Sequence, residues 1–97
     1  GECLGAETPL SFTLSQNYPN PFNPTTYVEF TVPNPDHLTM VVYNIQGKIV
    51  KTIFNNKYHV ENSYIQKIDL PDLNSGIYFI QLRSSLNSIT RKITIIK

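Results

Sequence analysis

Apolar side chains in this chain recur at every second residue, a period that no helix can present to one side. Val28, Phe30 and Val32 alternate with Tyr27, Glu29 and Thr31. Leu38, Met40 and Val42 alternate with Thr39, Val41 and Tyr43, and Tyr78, Ile80 and Leu82 with Phe79, Gln81 and Arg83. Ile93 and Ile95 continue the pattern near the end. A strand turns successive side chains to opposite faces, so such runs bury one face and leave the other wet. The residues that fill them are largely β-branched or aromatic, the types that suit a half-buried pleated surface. No stretch offers a convincing amphipathic helix. The expected core is Val28, Phe30, Met40, Val42, Tyr78, Ile80 and Ile93.

Turn residues punctuate the runs. Pro33-Asn34-Pro35-Asp36 follows one of them, and proline lacks the donor a ladder needs. Asn44-Ile45-Gln46-Gly47 follows the next, with Asn44 as side-chain acceptor and Gly47 where φ must be positive. Asn55-Asn56-Lys57, Pro71-Asp72-Leu73-Asn74-Ser75-Gly76 and Ser84-Ser85-Leu86-Asn87-Ser88 read as further breaks. The expected strands are 11–15, 26–32, 37–44, 48–54, 63–69, 76–83 and 89–96. About seven short strands spaced this way make an all-β, immunoglobulin-like antiparallel β-sandwich, with a closed small barrel as the alternative. In 48–54 the apolar residues come in adjacent pairs, which calls for a bulge or a strand buried on both faces. Segment 63–69 is expected at a sheet edge.

Composition narrows the function. At 97 residues the chain is one domain. Its net charge of +1 and lack of a Lys/Arg cluster give no field for nucleic acid. No apolar run approaches the ~20 residues of a helical membrane span. Cys3 is the single cysteine, so it can form neither an internal disulfide nor a cysteine-pair metal site. Residues 1–11 read as a flexible linker from an upstream cargo domain, with Gly1 as a cut boundary, and residues 12–97 as the sandwich.

No catalytic or cofactor constellation stands out. His37 and His59 are single and on different elements. Asp69 and Asp72 flank Leu70-Pro71, but no loop carries the alternating oxygen ligands of a dedicated Ca²⁺ site. There is no nucleophile–base pair and no glycine-rich phosphate loop. Three segments carry more information. In Pro19-Asn20-Pro21-Phe22-Asn23-Pro24 the prolines fix φ and push their predecessors to extended geometry, giving a stiff polyproline-like connector or a rigid turn. That segment is either a preformed ligand surface or a clasp in which Tyr18 and Phe22 plug one end of the sandwich. Gly76 lets the chain turn into a strand whose Tyr78 points to the core. Arg91-Lys92-Ile93-Thr94-Ile95-Ile96-Lys97 is a strand with cations at both ends, either guarding an edge or presented to a receptor.

These segments, in this order, resemble the type A C-terminal sorting domain of cargo exported by the bacterial type IX secretion system. The resemblance runs from about Leu14 to Lys97. The immunoglobulin-like module of flagellar hook-capping proteins shares the Asn-Pro-Phe-Asn-Pro turn, the Tyr43-Asn44…Gly47-Lys48 hairpin and Ser75-Gly76-Ile77-Tyr78. That module carries a Trp-Asp-Gly stretch and a glycine-rich connection where this chain has Ile68-Asp69-Leu70-Pro71-Asp72-Leu73, so the sorting domain is the nearer likeness. The resemblance implies a non-catalytic secretion signal without cofactors, recognised by the outer-membrane translocon. A surface sortase-like peptidase would cut it off near its N-terminal border, before about Phe12. It implies passage through the periplasm to the outer-membrane surface or the medium; the sequence leaves the oligomeric state open, with a monomer favoured. The signal residues would be Arg91, Lys92, Ile93, Ile95 and Lys97. The competing expectations are an accessory carbohydrate- or protein-binding module, with Tyr27 as a sugar platform, and a passive spacer.

Overall fold

A computed structural model describes residues 11–97 as strands and turns, without a helix among them. The strands are β1 (Thr13–Leu14), β2 (Thr25–Val32), β3 (Asp36–Tyr43), β4 (Ile49–His59), β5 (Asn62–Asp69), β6 (Gly76–Arg83) and β7 (Ser88–Ile95). They form two sheets, one ordered β1-β2-β5 and the other β4-β3-β6-β7. All pairings between them are antiparallel. Two separate sheets packed face to face exclude the closed barrel. The order matches an immunoglobulin-like arrangement in which the fourth strand has joined the sheet of the third rather than that of the first. The expected linker up to residue 10, with Cys3, lies outside the described residues.

The alternation decides which residues meet between the sheets. Val28, Phe30 and Val32 of β2 and Ile68 of β5 face Leu38, Met40 and Val42 of β3, Ile80 and Leu82 of β6, and Ile93 and Ile95 of β7, all nearly inaccessible. Burying each such side chain contributes about 1.5–3 kcal/mol. Tyr78 is half-buried: its ring packs against this core and its hydroxyl donates to the Asn74 carbonyl at 2.9 Å. One end of the core is aromatic. Phe30 stacks on Tyr64 at 5.2 Å between centroids, and the buried His59 meets Tyr64 edge-on at 4.9 Å. The His59 Nδ1 lies 2.9 Å from the Lys57 carbonyl, which can only accept, so that nitrogen carries the proton. His59 is thus a core residue with its Nδ1 hydrogen-bonded to the backbone. His37 sits apart from it, against Tyr58.

The Asn44–Gly47 turn forms as its residues dictate. The Asn44 Oδ1 accepts from the amides of Gln46 (2.9 Å) and Lys48 (3.0 Å), and the Gly47 amide donates to the Asn44 carbonyl. Gly47 has φ +83°, a conformation that carries little cost only without a Cβ.

β4 departs from the sequence reading. Asn55-Asn56-Lys57 does not break the chain; it lies inside β4, which spans 11 residues against 8 in β3. Three register shifts absorb the difference, and Asn56 takes φ +53°. Asparagine tolerates that conformation, so a turn-forming pair is accommodated as bulge rather than terminus. The adjacent apolar pairs follow from the same shifts, with Val50, Ile53 and Phe54 packed partly against the core. β5 is an edge strand, as its mixed pattern suggests.

Candidate functional site

β7 lies at an edge of the four-stranded sheet, and an exposed edge would present a row of unpaired amides and carbonyls. Its even-numbered residues point these groups away from β6. The segment between β1 and β2 meets them one after another. Gln16 Nε2 donates to the Lys92 carbonyl at 2.7 Å. The Thr94 amide donates to Asn20 Oδ1 at 3.2 Å. Phe22 forms a parallel bridge with Ile95: its amide donates to the Thr94 carbonyl at 3.0 Å, and the Ile96 amide donates to its carbonyl at 3.0 Å. Arg91 Nε spans the two sheets to the Leu14 carbonyl at 2.8 Å. The proline-rich segment thus sutures the edge of β7 to the opposite sheet.

The turn is held from within by two residues whose role sequence reasoning did not assign. Asn17 and Thr26 are buried polar side chains, 3% and 0% exposed. Asn17 Nδ2 donates to the Pro19 carbonyl and to Thr26 Oγ1, both at 3.1 Å. Thr26 Oγ1 in turn donates to the Pro19 carbonyl at 2.8 Å. Leaving such groups unpaired when buried costs about 1–3 kcal/mol each, so the network is part of the turn's definition. The Tyr18–Pro19, Asn20–Pro21 and Asn23–Pro24 peptide bonds are cis. The bonds of Asn17 and Thr26 to the Pro19 carbonyl and the Tyr18–Tyr27 bridge fold the segment back on itself, so it is a turn and not a polyproline-like connector. The only signal for the polar network was the position of Asn17 before, and Thr26 after, the run of prolines.

The two aromatic residues of the turn part company. Phe22 is 3% exposed and joins the core, as the clasp reading expected of it. Tyr18 is 81% exposed and plugs nothing; its bridge to Tyr27 turns both side chains to the outer face of the three-stranded sheet. Pro19, Pro21, Phe22, Asn23, Thr25, Ile96 and Lys97 line a shallow surface cleft there, so the turn and the end of the chain share one surface.

The five residues expected to carry the signal divide by burial. Ile93 and Ile95 are buried in the core. Arg91, Lys92 and Lys97 are exposed. Lys97 is docked on the loop before β6: its amide donates to Ser75 Oγ at 2.8 Å and its ammonium to the Pro71 carbonyl. Pro19, Asn20, Pro21, Asn23 and Pro24 surround Phe22 in the turn. Gly76 opens β6 with φ +155° directly opposite Ile95. Only surface groups can be read by a partner of the folded domain, so Ile93 and Ile95 can act on recognition through the fold alone.

Among the described residues no group of three His, Cys, Asp or Glu is placed to hold a metal. Asp69 accepts from Thr25 Oγ1 at 2.9 Å across the β2–β5 pair. At the far end of the sandwich, Asp36 accepts from Ser85 Oγ at 2.7 Å, from the Ser85 amide at 3.1 Å and from the His37 amide at 2.7 Å. These bonds, the Ser85 hydroxyl's foremost, hold its carboxyl below the ordinary value of 3.8. They tie the start of β3 to the β6–β7 hairpin.

A family model described as the secretion system C-terminal sorting domain matches residues 16–97, from the Gln16 that bonds β7 to the last residue. No curated protein gives a significant match.

Proposed function

Because the chain belongs to the family of type IX secretion C-terminal sorting domains, we propose that it acts as a non-catalytic signal read in its folded state. A sorting signal of this kind engages the secretion machinery and is exported to the cell surface or beyond. In our reading, a cargo domain upstream crosses the outer membrane with it, after transit through the periplasm. The translocon reads the joint surface of the turn 17–24 and β7, through Arg91, Lys92 and Lys97. A surface sortase-like peptidase then removes the domain, and the cargo is anchored or released.

The observation that carries this reading is the suture of the proline-rich turn to β7. It joins the two segments that most mark the family into one rigid surface. A preformed surface binds without the cost of ordering, which suits recognition of cargo that is already folded. The Lys97 end of this surface lies away from Phe12. Phe12 is at the end formed by Pro33–Asp36 and Ser84–Asn87, whereas Lys97 is at the end of Pro71 and Ser75. Eight-residue strands separate those ends by about 25 Å.

The test is a fusion of the full chain behind a periplasmic fluorescent reporter in a host with type IX machinery. Export is expected for the native sequence. Lys92→Glu is expected to trap the reporter while leaving the melting temperature unchanged, since the side chain is exposed. An intact fusion that stays in the periplasm of a competent host refutes the reading. The exposed Tyr18–Tyr27 pair supports a second role, as an accessory sugar-binding module. Saturable binding of a polysaccharide, lost in Tyr27→Ala, would identify it.

A further inference from the structure

The sandwich has four sheet edges, and they are treated differently. The edge of β1 is two residues long and its continuation is stitched to β7. The edge of β7 is covered by the proline-rich turn. That of β4 is distorted by three register shifts and carries Lys51 and Lys57, features that deter pairing. β5 differs from all of these. It pairs with β2 over eight residues without a single shift.

The ladder shows which groups of β5 are free among the described residues. Tyr27 exchanges both backbone hydrogen bonds with Tyr18, so the odd residues of β2 bond away from β5 and the even ones toward it. The Leu70 amide donates to the Pro24 carbonyl, in keeping with that parity. The even residues of β5 therefore bond β2, and Ser63, Ile65 and Lys67 aim their amides and carbonyls outward. Two of those groups are capped by neighbouring side chains: the Ser63 amide by Asn62 Oδ1 at 2.8 Å and the Lys67 carbonyl by Gln66 Nε2 at 2.9 Å. Between the caps, the Ser63 carbonyl, the amide and carbonyl of Ile65 and the amide of Lys67 have no hydrogen-bond partner among the described residues.

The side chains there are chemically distinct. Ile65 is paired with Glu29, faces the outer surface and is 75% exposed. Lys67 is on the same face, and its cross-strand neighbour is Tyr27, not an acid. We propose that β5 is a strand-addition site, which takes an extended antiparallel segment of a partner protein with an apolar residue opposite Ile65 and an acidic residue opposite Lys67. Main-chain bonds to Ile65 and Lys67 supply the affinity common to such additions, and the two side chains supply selectivity. Lys67 at the edge disfavours basic strands and favours acidic ones. The inference stands on the open ladder and not on the export reading.

A capped threonine peptide with one glutamate two residues before one valine is the probe, titrated into the full ¹⁵N-labelled chain. Saturable amide shifts centred on Ile65 and Lys67 are expected. Replacing the peptide's glutamate by lysine is expected to weaken binding about fivefold, the effect of exchanging an opposite-charge pair for a like-charge one. Lys67→Glu, a surface change that spares the ladder, is expected to reverse that preference. Ile65→Pro removes an outward amide and no ladder bond, so binding is expected to vanish while the melting temperature holds. Absent shifts at ~10 mM peptide, shifts centred elsewhere, or a charge preference that ignores Lys67→Glu overturn the proposal. Sedimentation showing a dimer that Ile65→Pro dissociates would assign the edge to a second copy, and would equally overturn it.

Discussion

Replacing Phe22 by alanine tests whether the proline-rich turn is a wedge or a surface ornament. The ring is 3% exposed and belongs to the core, while its backbone completes the bridge to Ile95. Removing a buried phenylalanine side chain costs about 3–5 kcal/mol, less when the site can relax or admit water. The open cleft beside Phe22 allows such relaxation, so the expected loss is near the low end, about 3 kcal/mol. A domain of this size has about 5–15 kcal/mol in total, and each kcal/mol moves its melting point by ~4–8 °C. Phe22→Ala is therefore expected to melt about 12–24 °C below the native chain. Urea unfolding followed by tyrosine fluorescence is the assay, and an unchanged m-value would show that the transition is still the same. Tyr18→Ala is the matched control, four residues earlier and 81% exposed, with an expected effect within ~0.5 kcal/mol. Equal effects of the two substitutions, or a loss below ~1 kcal/mol for Phe22→Ala, would refute the reasoning.

Two other predictions concern the turn after β3 and the far end of the sandwich. Gly47→Val is expected to cost at least ~1 kcal/mol in urea unfolding, and purely through the backbone, because φ is +83° and nothing lies within 4 Å of an added Cβ. Gly47→Asn, which tolerates that conformation, is expected to recover much of the loss. Asp36 is expected to make the domain acid-sensitive. Its folded pKa is depressed, so its stabilisation is complete above the ordinary value of 3.8 and is lost as pH falls through the lower folded value. Asp36→Asn is expected to lower the melting temperature at pH 7 and to narrow the gap from the native chain at pH 3. An unchanged gap would remove Asp36 from the hairpin's support.

Local physics made much of this protein readable from its sequence. Alternation assigned the strands to within two residues of their ends, save the end of β4, and told the inner face from the outer, because a period of two needs no knowledge of partners. Asn44 and Gly47 announced their turn for the same reason: the acceptor and the permissive φ belong to the residues themselves. The limits appear where a choice depends on distant chain. Asn55-Asn56 has the makings of a turn, yet pairing with β3 continues through it as a bulge. Tyr18 and Phe22 look equivalent in a string of prolines, and only the edge of β7 decides that one is buried and the other bare. That edge is closed by contacts between residues 76 and 77 positions apart, Gln16 with Lys92 and Leu14 with Arg91. Which edges are closed and which, at β5, stays open among the described residues follows from the order of strands across two sheets. Composition and periodicity are blind to that order, because it is set by which faces and edges can be buried together and not by any single segment's preference.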